Sequence, residues 1–348
     1  MNRTAVLYAL GSAALFGMST PAAKALLGTV HPIVLAGLLY CGAGLGIGIL
    51  RRLMSAKGAP LTRTDVPWLA GAISAGGIVG PMLLMIGLQR TEASTASLLL
   101  TLEGAATAGM AWFLFHENFD RRIAVGMLCI VAGAVVLAWA GTPSLGHLLG
   151  PAAIVLACVA WALDNNLTRK VSLSDPLHIV ELKGLIAGPV NVALGLWAGG
   201  TFPPISAALI AAVIGFIGYG VSLALFVVAL RHLGTARTGA YFSTAPFLGA
   251  VTAVAALGEP VTVGLLAAGG LMGLGVWLHL TEHHEHEHIH RPVAHAHSHV
   301  HDEHHHHAHG PQDAPGEPHT HLHEHEPRSM LIRARPTCTM CTGIEKHV

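Results

Sequence analysis

From residue 4 to residue 281 the chain alternates long apolar runs with short polar joints. A helix needs about 20 mostly apolar residues to cross the hydrocarbon core of a bilayer. The runs meet that length repeatedly and predict ten membrane helices, over 4–27, 32–54, 66–88, 93–115, 121–140, 147–167, 176–199, 206–230, 236–257 and 261–281. Stretches such as "AVLYALGSAALFGM" and "IAVGMLCIVAGAVVLAWA" have no polar stripe of the kind that soluble helices turn toward water. The expected fold class is therefore an all-α integral membrane protein with the lipid bilayer as its first partner. Composition agrees: 52% hydrophobic and 11% charged residues over 348 exclude an ordinary soluble domain.

Charge adds a direction. Cytoplasmic loops retain Lys and Arg, and an inside N-terminus collects Arg3, Arg51, Arg52, Lys57, Arg63, Arg121, Arg122, Arg169, Lys170, Arg231 and Arg237 on one side. The opposite loops hold only Arg90. Both termini are thus expected in the cytoplasm, with the protein in a bacterial inner membrane. Lys24 falls near the outer end of the first segment, where a long side chain reaches the interface. The first segment is too long for the apolar core of a cleavable signal and lacks a small-residue cleavage site after it. Cys41, Cys129 and Cys158 lie in apolar segments, where a thiol behaves as a small hydrophobe.

The chain also repeats itself. "LQRTEASTASLLLTLEGAATAGMAWFLFHENF" (88–119) overlies "LRHLGTARTGAYFSTAPFLGAVTAVAALGEPV" (230–261) without a gap at an offset of 142, setting Glu117 over Glu259. Five segments per half is an odd number, so the second half must enter the membrane upside down. Three regions follow: 1–140 and 141–281 as two inverted five-helix repeats, and 282–348 as a tail. Inverted repeats are a transporter architecture, with the substrate near the midplane between the halves.

The ten segments, the "FG" that precedes Lys24, and "HE" and "GEP" ending the fourth and ninth segments resemble the EamA-type family of the drug/metabolite transporter superfamily. The resemblance covers residues 4–281 and implies membrane transport of a small-molecule or ion substrate without naming it. Members usually carry Pro about thirteen residues before the terminal Glu of the fourth segment. The second half keeps it as Pro246, whereas the first reads Glu103 and Gly104 there.

Glu103 is the foremost candidate, because a carboxylate in an apolar helix is expensive and marks a functional path by default. One that gains and loses a proton couples transport to a proton gradient; the alternative is a structural bond to a neighbouring Lys or Asn. Asp164, Asn165 and Asn166 follow in "WALDNNLTRK", where they either bind a hydrophilic solute or ion or cap the helix ahead of Arg169. In "HIVELKG", Glu181 and Lys183 are two apart and point to different faces, while His178 and Glu181 share one. His178, Glu181, Asp164 and Glu103 are candidates for one polar cavity, with Lys183 and Lys24 on the same pathway. Glu117 and Glu259, at segment ends, read as structural.

Other classes find no support. Small residues four apart in "CGAGLGIG" and "GGLMG" serve helix packing. No Walker loop or strand-borne GxGxxG occurs, no nucleophile has a base partner, and neither an enzyme nor a nucleic-acid partner is expected. No cofactor is required. A homodimer is compatible with the sequence.

Residues 282–348 break the pattern. Here His283, His284, His286, His288, His290, His295, His297, His299, His301, His304, His305, His306, His307, His309, His319, His321, His323 and His325 alternate with Asp, Glu, Pro and Gly. This composition lacks the apolar surface to fold alone and predicts disorder. Neutral imidazole binds zinc, nickel, cobalt and copper, so the tract is expected to bind transition metal ions. Three readings stay open: a tail feeding metal to a metal exporter, a buffer or pH sensor beside a metabolite transporter, and a membrane-tethered metal store. The final residues, 327–348, lose His and gain Arg and a "CTMC" at Cys338 and Cys341, read as a half zinc site, a redox pair or the product of a shifted reading frame.

Overall fold

The computed structural model describes residues 3–54, 61–115, 121–139, 145–171, 174–233, 235–281, 284–289, 294–299, 319–324 and 329–334. In chain order the helices are α1 (Arg3–Leu26), α2 (Pro32–Leu53), α3 (Val66–Ala72), α4 (Gly80–Arg90), α5 (Ala93–Leu99), α6 (Leu102–Phe115) and α7 (Arg121–Trp139). They continue as α8 (Leu145–Thr168), α9 (Pro176–Trp197), α10 (Ile205–Gly215), α11 (Ser222–Leu233), α12 (Thr235–Phe242), α13 (Ala245–Leu257) and α14 (Val263–Leu280). Among the described residues, nine helical rods are long and apolar enough to cross a membrane. Their outward faces carry Leu7, Leu45, Leu128, Leu209 and Leu266 exposed, as a surface solvated by lipid requires. The chain is an integral membrane protein.

Four interruptions shape the interior. The rod Val66–Arg90 contains a π-helical segment, Ile73–Val79, between α3 and α4, and a second π segment, Phe216–Val221, joins α10 to α11. The expected segment 93–115 is split into α5, of 7 residues, and α6, of 14, neither long enough to span alone. At this joint Leu100 N–H reaches back to Ser97 and Thr101 N–H to Leu98, at 3.2 and 3.0 Å, the tight i−3 pattern of a 3₁₀ turn. The segment 236–257 breaks at Ser243–Thr244, before α13 opens with Pro246 in its first turn. Proline has no N–H to give the preceding turn and disfavours helix in the residue before it.

Packing rests on small residues. A Cβ at Gly44 of α2 would stand 2.7 Å from the Gly184 carbonyl carbon of α9, and one at Gly188 would stand 2.7 Å from the Cys41 nitrogen. These two helices therefore meet backbone to backbone. Gly133 and Gly275 do the same for α7 and α14, where added Cβ atoms would lie 3.0 Å from Ala268 O and 2.6 Å from Gly126 O. Ser12 and Ser222 clasp α1 to α11: each hydroxyl donates to the other's carbonyl, at 2.7 and 2.9 Å.

Residues His283–Pro336 are a separate unit. Its described segments run as β1 (His284–Ile289), β2 (Ala294–His299), β3 (His319–Glu324) and β4 (Ser329–Ala334). β1 pairs antiparallel with β4 and β2 with β3, setting His295 opposite His323, His297 opposite His321 and His299 opposite His319. Strict alternation of His with other residues has the period of two that a strand needs. A two-stranded ladder by itself is marginal in water. His283, His290, His301, His304, His305, His306, His307, His309 and His325 lie outside the described residues, as do Cys338, Cys341 and Glu117.

Candidate functional site

Three of the interruptions border a cavity of about 250 Å³ lined by residues of α1, α2, α6, α8, α9, α11, α12 and the second π segment, and the first π segment is bonded to two of its lining residues. A π bulge frees carbonyl groups from the helical ladder, and they must find other donors. Here Tyr40 Oη of α2 and Trp161 Nε1 of α8 both donate to Gly76 O at 2.9 Å. Asn191 of α9, fully buried, donates Nδ2 to Gly77 O at 3.0 Å. Three helices are thereby fastened to one bulge. Gly76 itself has to be glycine, since a Cβ there would strike the Asp164 carboxylate.

The polar wall of the cavity belongs to α6, α8 and α9. Glu103 sits in the first turn of α6, just past the break, and its Oε1 accepts from Asn165 Nδ2 at 2.9 Å. The same amide reaches Thr107 Oγ1 at 3.2 Å. At the adjacent position of α8, Asp164 Oδ1 accepts from Lys183 Nζ of α9 at 2.5 Å and from Thr168 Oγ1 at 2.8 Å. Lys183 also donates to Thr168 Oγ1 at 3.0 Å. Asn166 is buried beside this cluster, bonded to Ala162 O and Thr107 O. Glu103, Asp164, Asn165 and Lys183 therefore form one constellation, and Asn166 braces α8 behind it.

The other candidates are elsewhere. Glu181 accepts from Arg51 Nη1 at 3.0 Å, while Arg51 Nε binds Asp175 Oδ2 at 2.8 Å. Asp175 also caps α9 through Leu177 N–H at 3.0 Å. The Arg51–Asp175–Glu181 triad ties the last turn of α2 to the first turns of α9 and takes Glu181 out of the cavity. His178, half-buried, is absent from the cavity lining. Lys24 holds the end of α4, donating to Leu88 O at 2.6 Å and Thr91 O at 2.8 Å. Glu259 receives the backbone N–H groups of Ala93 and Ser94 at 2.6 and 2.7 Å, a carboxylate at the start of α5 where the helix dipole favours it.

None of the six aromatic residues of the cavity was a site candidate in the sequence: Phe16, Tyr40, Trp161, Tyr219, Phe226 and Phe242. Aromatics in apolar helices look like ordinary core or interface residues, so only the fold assembles them. The buried hydroxyls of Ser94, Ser97 and Thr101 on α5 and its break have no hydrogen-bond partner among the described residues. No three His, Cys, Asp or Glu side chains among the described residues converge as a metal site.

The comparisons with known proteins agree with this architecture. The EamA-like transporter family matches twice, over residues 3–139 and 148–281. An uncharacterized transporter of Methanothermobacter thermautotrophicus is 26% identical over 281 residues, which cover 76% of this chain and 82% of that protein. A probable 4-amino-4-deoxy-L-arabinose-phosphoundecaprenol flippase subunit ArnE of Pseudomonas paraeruginosa is 37% identical over 110 residues, 30% of this chain and 93% of that one. A solved crystal structure shares the fold, with a TM-score of 0.60 at 20% identity over 79% of this chain and 97% of that chain. Two family matches that together take in nearly all of the helical unit place the chain in the EamA-like transporter family.

Proposed function

We propose that this protein is a secondary active transporter that exports a small organic solute in exchange for protons, with the Glu103 cavity as its solute site. The observation that carries the reading is the convergence of broken and π-bulged helices on a cavity holding a membrane-embedded carboxylate. Discontinuous helices at the junction of two repeats are where secondary transporters bind their solutes. An offset of 142 carries Ile73–Val79 onto 215–221, within one residue of the second π segment, and the break at 100–101 onto 242–243. This correspondence supports two inverted halves, with both termini cytoplasmic by the distribution of Lys and Arg.

In the second reading the chain exports a divalent metal ion gathered by the His-rich tail. The cavity is a poor fit to it: its wall is largely apolar, with six aromatic residues, and of its two carboxylates Asp164 is already paired with Lys183. The tail is better suited to buffer metal or respond to pH beside a transporter of another solute.

Inverted membrane vesicles decide between them. Uptake of zinc, nickel, cobalt and a panel of organic solutes is compared for the full chain, a chain stopped after Glu282, and Glu103→Gln. Accumulation of an organic solute that needs both a pH gradient and Glu103, and survives loss of the tail, is expected. Accumulation of one metal under those conditions sinks the organic-solute reading.

A further inference from the structure

The cavity's rings and charges say what kind of solute it takes, an inference that rests on the transport reading. Five of its aromatic residues touch in sequence. Tyr40 stands 5.9 Å from Tyr219, Tyr219 stands 5.7 Å from Phe16 edge to face, Phe16 stands 5.4 Å from Phe242, and Phe242 stands 5.0 Å from Phe226, centroid to centroid. Trp161 completes the lining. The polar hydrogens of Tyr40 and Trp161 are already given to Gly76 O, so these two rings offer π surface to a solute and no donor.

Charge is distributed unevenly around this wall. Asp164 and Lys183 neutralise each other at 2.5 Å, and the Lys183 ammonium is further occupied by Thr168. A solute carboxylate or phosphate would have to compete with Asp164 for Lys183, the one cation lining the cavity among the described residues. Glu103 is different. It is partnered by the neutral amide of Asn165, and no ion pair among the described residues includes it. A carboxylate in such a place either holds a proton or waits for a positive charge. Aromatic faces attract cations as well, so both features select the same sign.

We propose that the transported solute is a small lipophilic organic cation, an arylalkyl amine with one positive charge, and that Glu103 is its counter-ion. When the ammonium group binds, the Glu103 carboxyl gives up its proton to water; when the amine leaves, a proton returns. The exchange is one for one and leaves the site's net charge unchanged. At about 250 Å³ the cavity falls just below the usual range for drug-sized ligands, which suits a body of one ring.

The test uses three probes with the same phenylalkyl body: phenethylamine as cation, phenylalanine as zwitterion and 3-phenylpropionate as anion. Radiolabelled binding to the purified full-length protein is measured near neutral pH, with proton release followed in weakly buffered solution. Phenethylamine is expected to bind roughly ten-fold tighter than either analogue and to release about one proton per molecule bound. Glu103→Gln should abolish both effects, and Glu103→Asp, which restores the charge, should recover the preference. Equal or tighter binding of phenylalanine overturns the proposal, as does phenethylamine binding indifferent to Glu103→Gln, or no binding by any of the three. The transport reading fails separately. If phenylalanine instead of the amine accumulates in vesicles under a pH gradient, the solute class is wrong and the transporter stands. If nothing in a broad panel accumulates, the transporter reading itself falls.

Discussion

Lys183 Nζ lies 2.5 Å from Asp164 Oδ1, so α8 and α9 are joined by an ion pair in the wall of the cavity. Both side chains are largely buried, 14% and 10% exposed. Removing one partner of such a pair strands the other in a low-dielectric site, which typically costs about 3–5 kcal/mol, whereas removing both is often nearly neutral. Lys183→Met is therefore expected to lower the melting temperature in detergent markedly. Adding Asp164→Asn to it should restore most of the loss. If the double variant melts no higher than the single one, the pair is not what holds α8 to α9.

Glu103 predicts a different signature. Glu103→Gln keeps a carbonyl oxygen for Asn165 and nearly the same volume, so stability should change by no more than about 1 kcal/mol. Coupling should be lost: solute exchange down its own gradient persists in vesicles while a pH gradient no longer drives accumulation. A variant that still accumulates solute in response to the gradient would move the proton site away from Glu103.

The helices were legible because the bilayer imposes a length and a polarity that a single sequence displays. Lys183 with Asp164 was not, although both were candidates, because pairing across two helices depends on rotation and depth that periodicity does not fix. Glu181 illustrates the failure: sharing a helical face with His178 suggested the cavity, but its partner, Arg51, is 130 residues away. The break after Leu99 left no sign in the residues, since "LLLTLEG" contains no proline. Pro246 marked its counterpart. The π segments were equally silent: Gly76 and Gly77 in the first, and Gly218 and Gly220 in the second, belong to no pattern that the sequence sets apart.

The α2–α9 contact predicts sensitivity to a single methyl branch. A Cβ at Gly184 would meet the Tyr40 carbonyl oxygen at 2.7 Å, and that neighbour is backbone that cannot rotate away. Gly184→Val should force the helices apart at a cost of at least about 1–3 kcal/mol. The expected result is a lower melting temperature and loss of transport together. Gly104, whose added Cβ would meet nothing within 4 Å, is the control: Gly104→Ala should leave stability intact or raise it slightly by its better helix propensity. Equal damage at both positions would show that glycine content, and not this contact, matters.

The tail makes the last prediction. Imidazole ligates metal only when neutral, so protons compete with metal as pH falls through the ordinary His range near 6.5. If the His-rich unit is an accessory, the full chain should bind several zinc or nickel ions at neutral pH and release them below about pH 6, while a chain stopped after Glu282 binds almost none. Solute transport at saturation should be the same for both. Equilibrium dialysis across this pH range measures the first quantity and vesicle uptake the second. A truncated protein that folds, binds no metal and has also lost uptake would make the tail part of the transport cycle, and the division of labour drawn here between cavity and histidines would have to be abandoned.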